Sequence, residues 1–117
     1  MVSEKLFFYD VLFFDVHNQK KIYIKEYSSG LNVLVAVCDE ELVGQSFADG
    51  ELNLKITESF YKGEAVTEAE VVASLKQANI ANLVGERTIK CAIANSFIAE
   101  ANVIFVEGVP HAQMVKM

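Results

Sequence analysis

Positive charge is scarce in this 117-residue chain: ten lysines and arginines stand against sixteen acidic residues, and Arg87 is the lone arginine. The net charge of −6 repels phosphate backbones on average, which excludes a general nucleic-acid coat and leaves only a local basic patch open. It favours solubility and attraction to basic partners. Proline is nearly absent, Pro110 being the single one, and no Gly- or Pro-rich linker, internal repeat or low-complexity tract interrupts the chain. The two cysteines, Cys38 and Cys91, lie far apart and outside any CxxC spacing. They make no disulfide framework, and a zinc site would need further ligands. They read as reduced, buried thiols of a cytoplasmic protein. Long apolar runs are missing too. The aromatic stretch 6–16 is broken by Asp10 and Asp15, too interrupted for a signal-peptide core and too short to cross a membrane, so no membrane partner is expected. GxSxG, HExxH, GxGxxG and a P-loop GK[ST] are also absent, and no cofactor is expected.

What remains describes a globular domain. Hydrophobic residues make up 52% and charged residues 22%, and the length suits one domain able to bury its own core. Mean hydropathy is +0.26, apolar for so small a protein, which suggests that a partner covers part of its surface.

Taken in order, residues 6–16 form an extension strand. It is either covered on both faces or exposed as an edge that makes a homodimer. A domain boundary is placed at residue 21, with a single α+β domain over 22–117. Residues 22–27 and 31–37 predict a hairpin, turning at Ser28-Ser29-Gly30. Asp39 is placed to cap a helical turn that Gly44 ends. Ala48-Asp49-Gly50 is a turn, and residues 51–56 alternate as a one-face-wet strand. Residues 57–62 make one helical turn. Thr67 and Glu70 have capping-box spacing, with Val66 and Val71 as the staple, so a helix starts there. A second helix is expected over 82–95, followed by strands at 103–106 and 111–115. The fold class is therefore α+β, a mostly antiparallel sheet packed by two main helices.

Candidate chemistry gathers late in the chain. Asn82, Gly85 and Arg87 mark a helix start whose free N–H groups and cation can hold phosphate or carboxylate. The bland alternative is that Gly85 permits tight packing while Arg87 pairs with a neighbouring acid. His111, held behind Pro110, can serve as a base or, with Cys38 and Asp39, as a metal ligand; the alternative is an imidazole bonded to backbone. Gln113 lies on the same strand. Asp39-Glu40-Glu41 has the charge for a hard cation but no EF-hand spacing. Lys20, Lys21 and Lys25, interleaved with Tyr23 and Tyr27, can either contact single-stranded RNA or form a solvated strand face.

The segments Cys38-Asp39-Glu40-Glu41-Leu42-Val43-Gly44, Asn82-Leu83-Val84-Gly85-Glu86-Arg87 and Gly108-Val109-Pro110-His111-Ala112-Gln113, with Gly50, Phe60-Tyr61 and Gly63, resemble a small archaeal conserved family of unknown function. The likeness runs from about Ile22 to Val115. It implies an archaeal cytoplasmic α+β protein, supplies no activity or cofactor, and groups Cys38, Asp39, Asn82, Gly85, Arg87, Pro110, His111 and Gln113 as one surface. Residues before Ile22 depart from the pattern. Three functions follow as expectations: a non-enzymatic binding module with an RNA or protein partner, associated with RNA or the translation machinery; an assembly subunit using residues 6–16; or a small enzyme using His111 with Asp39 or Cys38.

Overall fold

The structure, a computed structural model, describes residues 19–116. The extension strand at 6–16, and a dimer made through it, lie outside the described residues. Strands β1 (Ile22–Ser29) and β2 (Asn32–Asp39) form the expected hairpin, paired from Ser29–Asn32 to Ile22–Asp39. Leu31 does not join the apolar row of β2; it sits in the turn, 97% exposed. Strands β3 (Ser46–Asp49) and β4 (Leu52–Lys55) form a small separate hairpin, so a strand fills a stretch where only a turn is expected. Next come a short helix α1 (Glu58–Tyr61), strand β5 (Glu64–Val66), helix α2 (Glu68–Gln77), strand β6 (Ile80–Val84) and helix α3 (Glu86–Ala94). Strands β7 (Ile104–Val106) and β8 (Val109–Val115) close the chain.

The main sheet has the order β5-β1-β2-β6-β8-β7, antiparallel throughout except where β6 runs parallel to β2. Fold class and helix number follow the sequence, but the start of the second helix does not. Residues 81–84 are the central strand β6, and the helix begins only at Glu86. The apolar run Ile80-Ala81-Asn82-Leu83-Val84 fits both periods. Pairing on both edges, with β2 and β8, makes it a strand. Ala81 and Leu83 face the helices and are fully buried.

The core divides into two by strand alternation. On one face Val35, Val37, Ala81, Leu83, Ala112 and Met114 pack under α2 and α3. On the other, Ala36, Cys38 and Val84 pack under α1 and the β3–β4 hairpin, with Leu54, Ile56 and Tyr61. Tyr27 stacks on Phe60 with ring centroids 5.2 Å apart.

The capping box is formed. The Thr67 hydroxyl accepts from the Glu70 amide at 3.3 Å, and the Glu70 carboxylate accepts from the Thr67 amide at 3.1 Å. Val66 and Val71 are both buried beside it. Thr67→Ala is expected to lower stability by about 1 kcal/mol, which urea unfolding followed by circular dichroism will register at the midpoint.

Candidate functional site

The chemistry-bearing end of the molecule is where β2, β6 and β8 finish beside α3. Gly85 precedes α3 with φ +109° and ψ 155°, a backbone conformation open essentially to glycine alone. Its amide donates to the carbonyl of Pro110 at 2.9 Å. Glycine brings no side chain to cap the helix, and Asp39, at the end of β2, supplies one from across the sheet. Its Oδ2 accepts from the Arg87 amide at 2.9 Å. Its Oδ1 accepts from the Thr88 amide at 2.9 Å and the Thr88 hydroxyl at 2.8 Å. A carboxylate at a helix N-terminus also meets the positive end of the helix dipole.

Asp39 therefore caps α3 and not its own turn, where it makes no side-chain cap bond. It is only 3% exposed, and burial raises its pKa from 3.8 against the pull of its three donors.

Arg87 is spoken for within the chain. Its Nη1 reaches both carboxylate oxygens of Glu41, at 2.7 and 2.8 Å, and lies 3.7 Å from Asp39. Of the two readings open from the sequence, the geometry is that of the internally paired arginine. Glu41 holds an arginine where a hard cation was one option.

The other candidates sit elsewhere. Asn82 and Gln113 are neighbours across β6 and β8, 3.5 Å apart, on the sheet face away from α2 and α3. His111 shares that face in register with Val84, and its Nδ1 meets the Leu83 carbonyl at 3.0 Å. Cys38 lies in the same row on the far side of Val84, two strand spacings or about 10 Å from His111. Asp39, the next residue along β2, points to the opposite face as alternation requires. The trio Cys38, Asp39 and His111 therefore does not converge on a metal, and His111 has neither partner for catalysis. Among the described residues, no group of three or more His, Cys, Asp or Glu side chains is arranged to hold a metal ion. The surface grouping eight residues from the resemblance is two: a helix-capping end with Asp39, Gly85, Arg87 and Pro110, and a sheet face with Cys38, Asn82, His111 and Gln113.

The thiols are sealed. Cys38 has no exposed surface, donates to the Asp39 carbonyl at 3.1 Å, and burial pushes its pKa to about 12. Burial pushes Cys91 to about 11. Neither is a thiolate at neutral pH. Both are expected to resist iodoacetamide at pH 8 in the folded protein and to react fully in denaturant, a contrast that mass spectrometry reads directly.

Of the basic-aromatic set, Lys25 and Tyr27 are engaged internally, while Lys20, Lys21 and Tyr23 carry no side-chain hydrogen bond or ion pair among the described residues. Lys25 Nζ donates to the Ser59 carbonyl at 2.7 Å, and the Tyr27 hydroxyl donates to the Phe60 carbonyl at 2.8 Å.

Beside the capped helix end lie two adjoining hollows sharing Glu86, Lys90, Gly108 and Pro110. One, of about 360 Å³, reaches Asp39, Glu41 and Arg87; the other, of about 670 Å³, runs between α3 and β7 over Ile89, Ile93, Val103 and Phe105. Phe105, Ile93 and Glu100 were not legible as site residues. Phe105 lies in an all-apolar strand, where alternation does not say which way a ring points.

The fold and this end of it define a class: a small α+β domain that offers a groove beside a capped helix. A family model described as a protein of unknown function (DUF424) matches residues 27–117. The chain belongs to that family. It is also similar in fold to an uncharacterized conserved protein from Methanopyrus kandleri, known from a crystal structure, with 21% identity and a TM-score of 0.66 over 82% of this chain and 94% of that one. No curated protein matches. Among the described residues, no helix is long and apolar enough to cross a membrane.

Proposed function

We propose that this protein is a non-enzymatic binding module that joins RNA-associated machinery, the translation machinery included, through protein contacts made at the α3 end of the fold. The observation that carries the reading is the groove itself. It lies open beside a helix start whose charged groups are already committed to one another. Asp39 is consumed by the α3 cap and Arg87 by Glu41, so neither charged group of the helix start is left for phosphate. Cys38 is buried with its thiol held protonated, and His111 stands apart from both Cys38 and Asp39, so the set named for catalysis does not assemble. Proteins that attend nucleic acid carry Lys- and Arg-rich segments, and an acidic module of net charge −6 attracts those segments while repelling the nucleic acid.

The test is affinity capture from native lysate with wild type and with a Glu100→Lys, Phe105→Ala double variant, each with and without ribonuclease. The reading expects a protein partner that survives ribonuclease and is lost with the variant. Capture abolished by ribonuclease would make RNA the ligand. Capture untouched by the variant would move the surface elsewhere.

A further inference from the structure

We infer that the groove between α3 and β7 takes a basic protein segment bearing an apolar anchor. The inference rests on the binding-module reading and names the chemistry of its partner.

The floor is apolar. Phe105 is 61% exposed, a large ring left in the open at the edge of the sheet, and Ile93 and Val103 lie beside it as partly buried hydrophobics. The volume of about 670 Å³ falls within the roughly 300–1,000 Å³ of pockets that hold ligands. One large aliphatic or aromatic side chain placed there covers surface that is otherwise wet.

The rim is acidic. Glu86 and Glu100 stand on it, and Glu41 extends it into the smaller hollow. The two cations nearby are both paired: Arg87 with Glu41, and Lys90 with Glu86 at 3.2 Å. Lys90 and Glu86 side chains are each 75% exposed, so their pairing is weak and an incoming lysine or arginine can take the place of Lys90. No cation pairs with Glu100 among the described residues. The field over an apolar floor is therefore negative, which selects a positively charged segment with a hydrophobic residue among its charges.

The backbone of β7 adds a docking rail. β7 is an edge strand. Phe105 lies opposite Pro110, which has no N–H and turns its carbonyl toward Gly85 on the β6 side. The N–H and C=O of Phe105 accordingly point outward, where no described residue pairs with them. An extended segment can bond there while its anchor enters the groove.

The experiment uses fluorescence anisotropy with four probes: a lysine-leucine peptide, a lysine-serine peptide of equal charge, a glutamate-leucine peptide, and oligo(U). The expected result is saturable binding of the lysine-leucine peptide, weaker by about tenfold or more for the lysine-serine peptide, and none for the other two. Phe105→Ser and Glu100→Lys, both at exposed positions and checked for folding by circular dichroism, are each expected to weaken lysine-leucine binding by about tenfold. Glu100→Lys should also flatten its salt dependence. Equal binding of the lysine-serine peptide, preference for oligo(U) or the acidic peptide, no binding at all, or indifference to both variants would overturn the inference. Peptide failure beside a successful, variant-sensitive lysate capture would remove this chemistry and leave the binding-module reading standing; failure of both removes both.

Discussion

Gly85→Ala is expected to cost roughly 4 kcal/mol or more, a large share of the 5–15 kcal/mol that holds a domain of this size. Two independent penalties meet at this residue. The backbone sits at φ +109°, ψ 155°, where a residue with a Cβ is strained by about 1–3 kcal/mol. An added Cβ would also lie 2.6 Å from Oδ1 of Asp39 and 2.7 Å from its Cβ, and closer still to Cγ. Overpacking of this kind costs about 1–3 kcal/mol, and here the atom to be displaced belongs to a carboxylate fixed by three donors. Chemical denaturation of the variant will show the loss, or no cooperative transition at all. A variant as stable as wild type would mean that α3 can start without this contact.

Asp39→Ala is expected to cost about 3–5 kcal/mol. The substitution strips α3 of its side-chain cap and leaves the Thr88 amide and hydroxyl, in a residue with no exposed surface, without their acceptor. Asp39→Asn keeps one acceptor oxygen and should lose less. The two glycine-aspartate effects should not add: in a Gly85→Ala, Asp39→Ala double variant, part of the clash disappears with Cγ and Oδ1, so the combined loss falls short of the sum.

The same residue makes a pH prediction. Burial holds the pKa of folded Asp39 above 3.8, so the folded protein binds that proton more tightly than the unfolded chain. Its contribution is therefore fully present below the unfolded value and shrinks as pH rises through the raised folded value. The stability of wild type relative to Asp39→Asn should fall on going from pH 3 to 6. A relative stability that rises over this window would contradict the burial argument.

How much of this was legible in the sequence depended on whether the signal was local. The capping box of α2 was, because Thr67 and Glu70 lie within one helical turn of each other. The β1–β2 hairpin was, because alternation and turn residues are adjacent. The class of fold followed from these. The start of α3 was not, because its cap comes from Asp39, far back in the chain, and Gly85 gives no side-chain signal of its own. Without that signal, residues 81–84 merge into the helix that follows. The pairing of Arg87 with Glu41 was open as one of two readings and needed the third dimension to decide it. The groove was illegible for the same reason. Its floor joins α3 to β7, and nothing in Ile104-Phe105-Val106 shows which ring stays wet.

Arg87 and His111, the residues that first draw attention, bond within the chain, and the reading proposed above assigns recognition to Phe105, Glu86 and Glu100 instead. The most direct test of that claim is a nitrogen-15 NMR titration of the protein with the lysine-leucine peptide. The account predicts shift changes concentrated in α3 and β7, at Glu86, Lys90, Ile93 and Phe105, with little change on the Tyr27 strand or at Asn82 and Gln113. Changes centred on Lys25 and Tyr27, or on the Asn82, His111 and Gln113 face, or no changes at all, would contradict it.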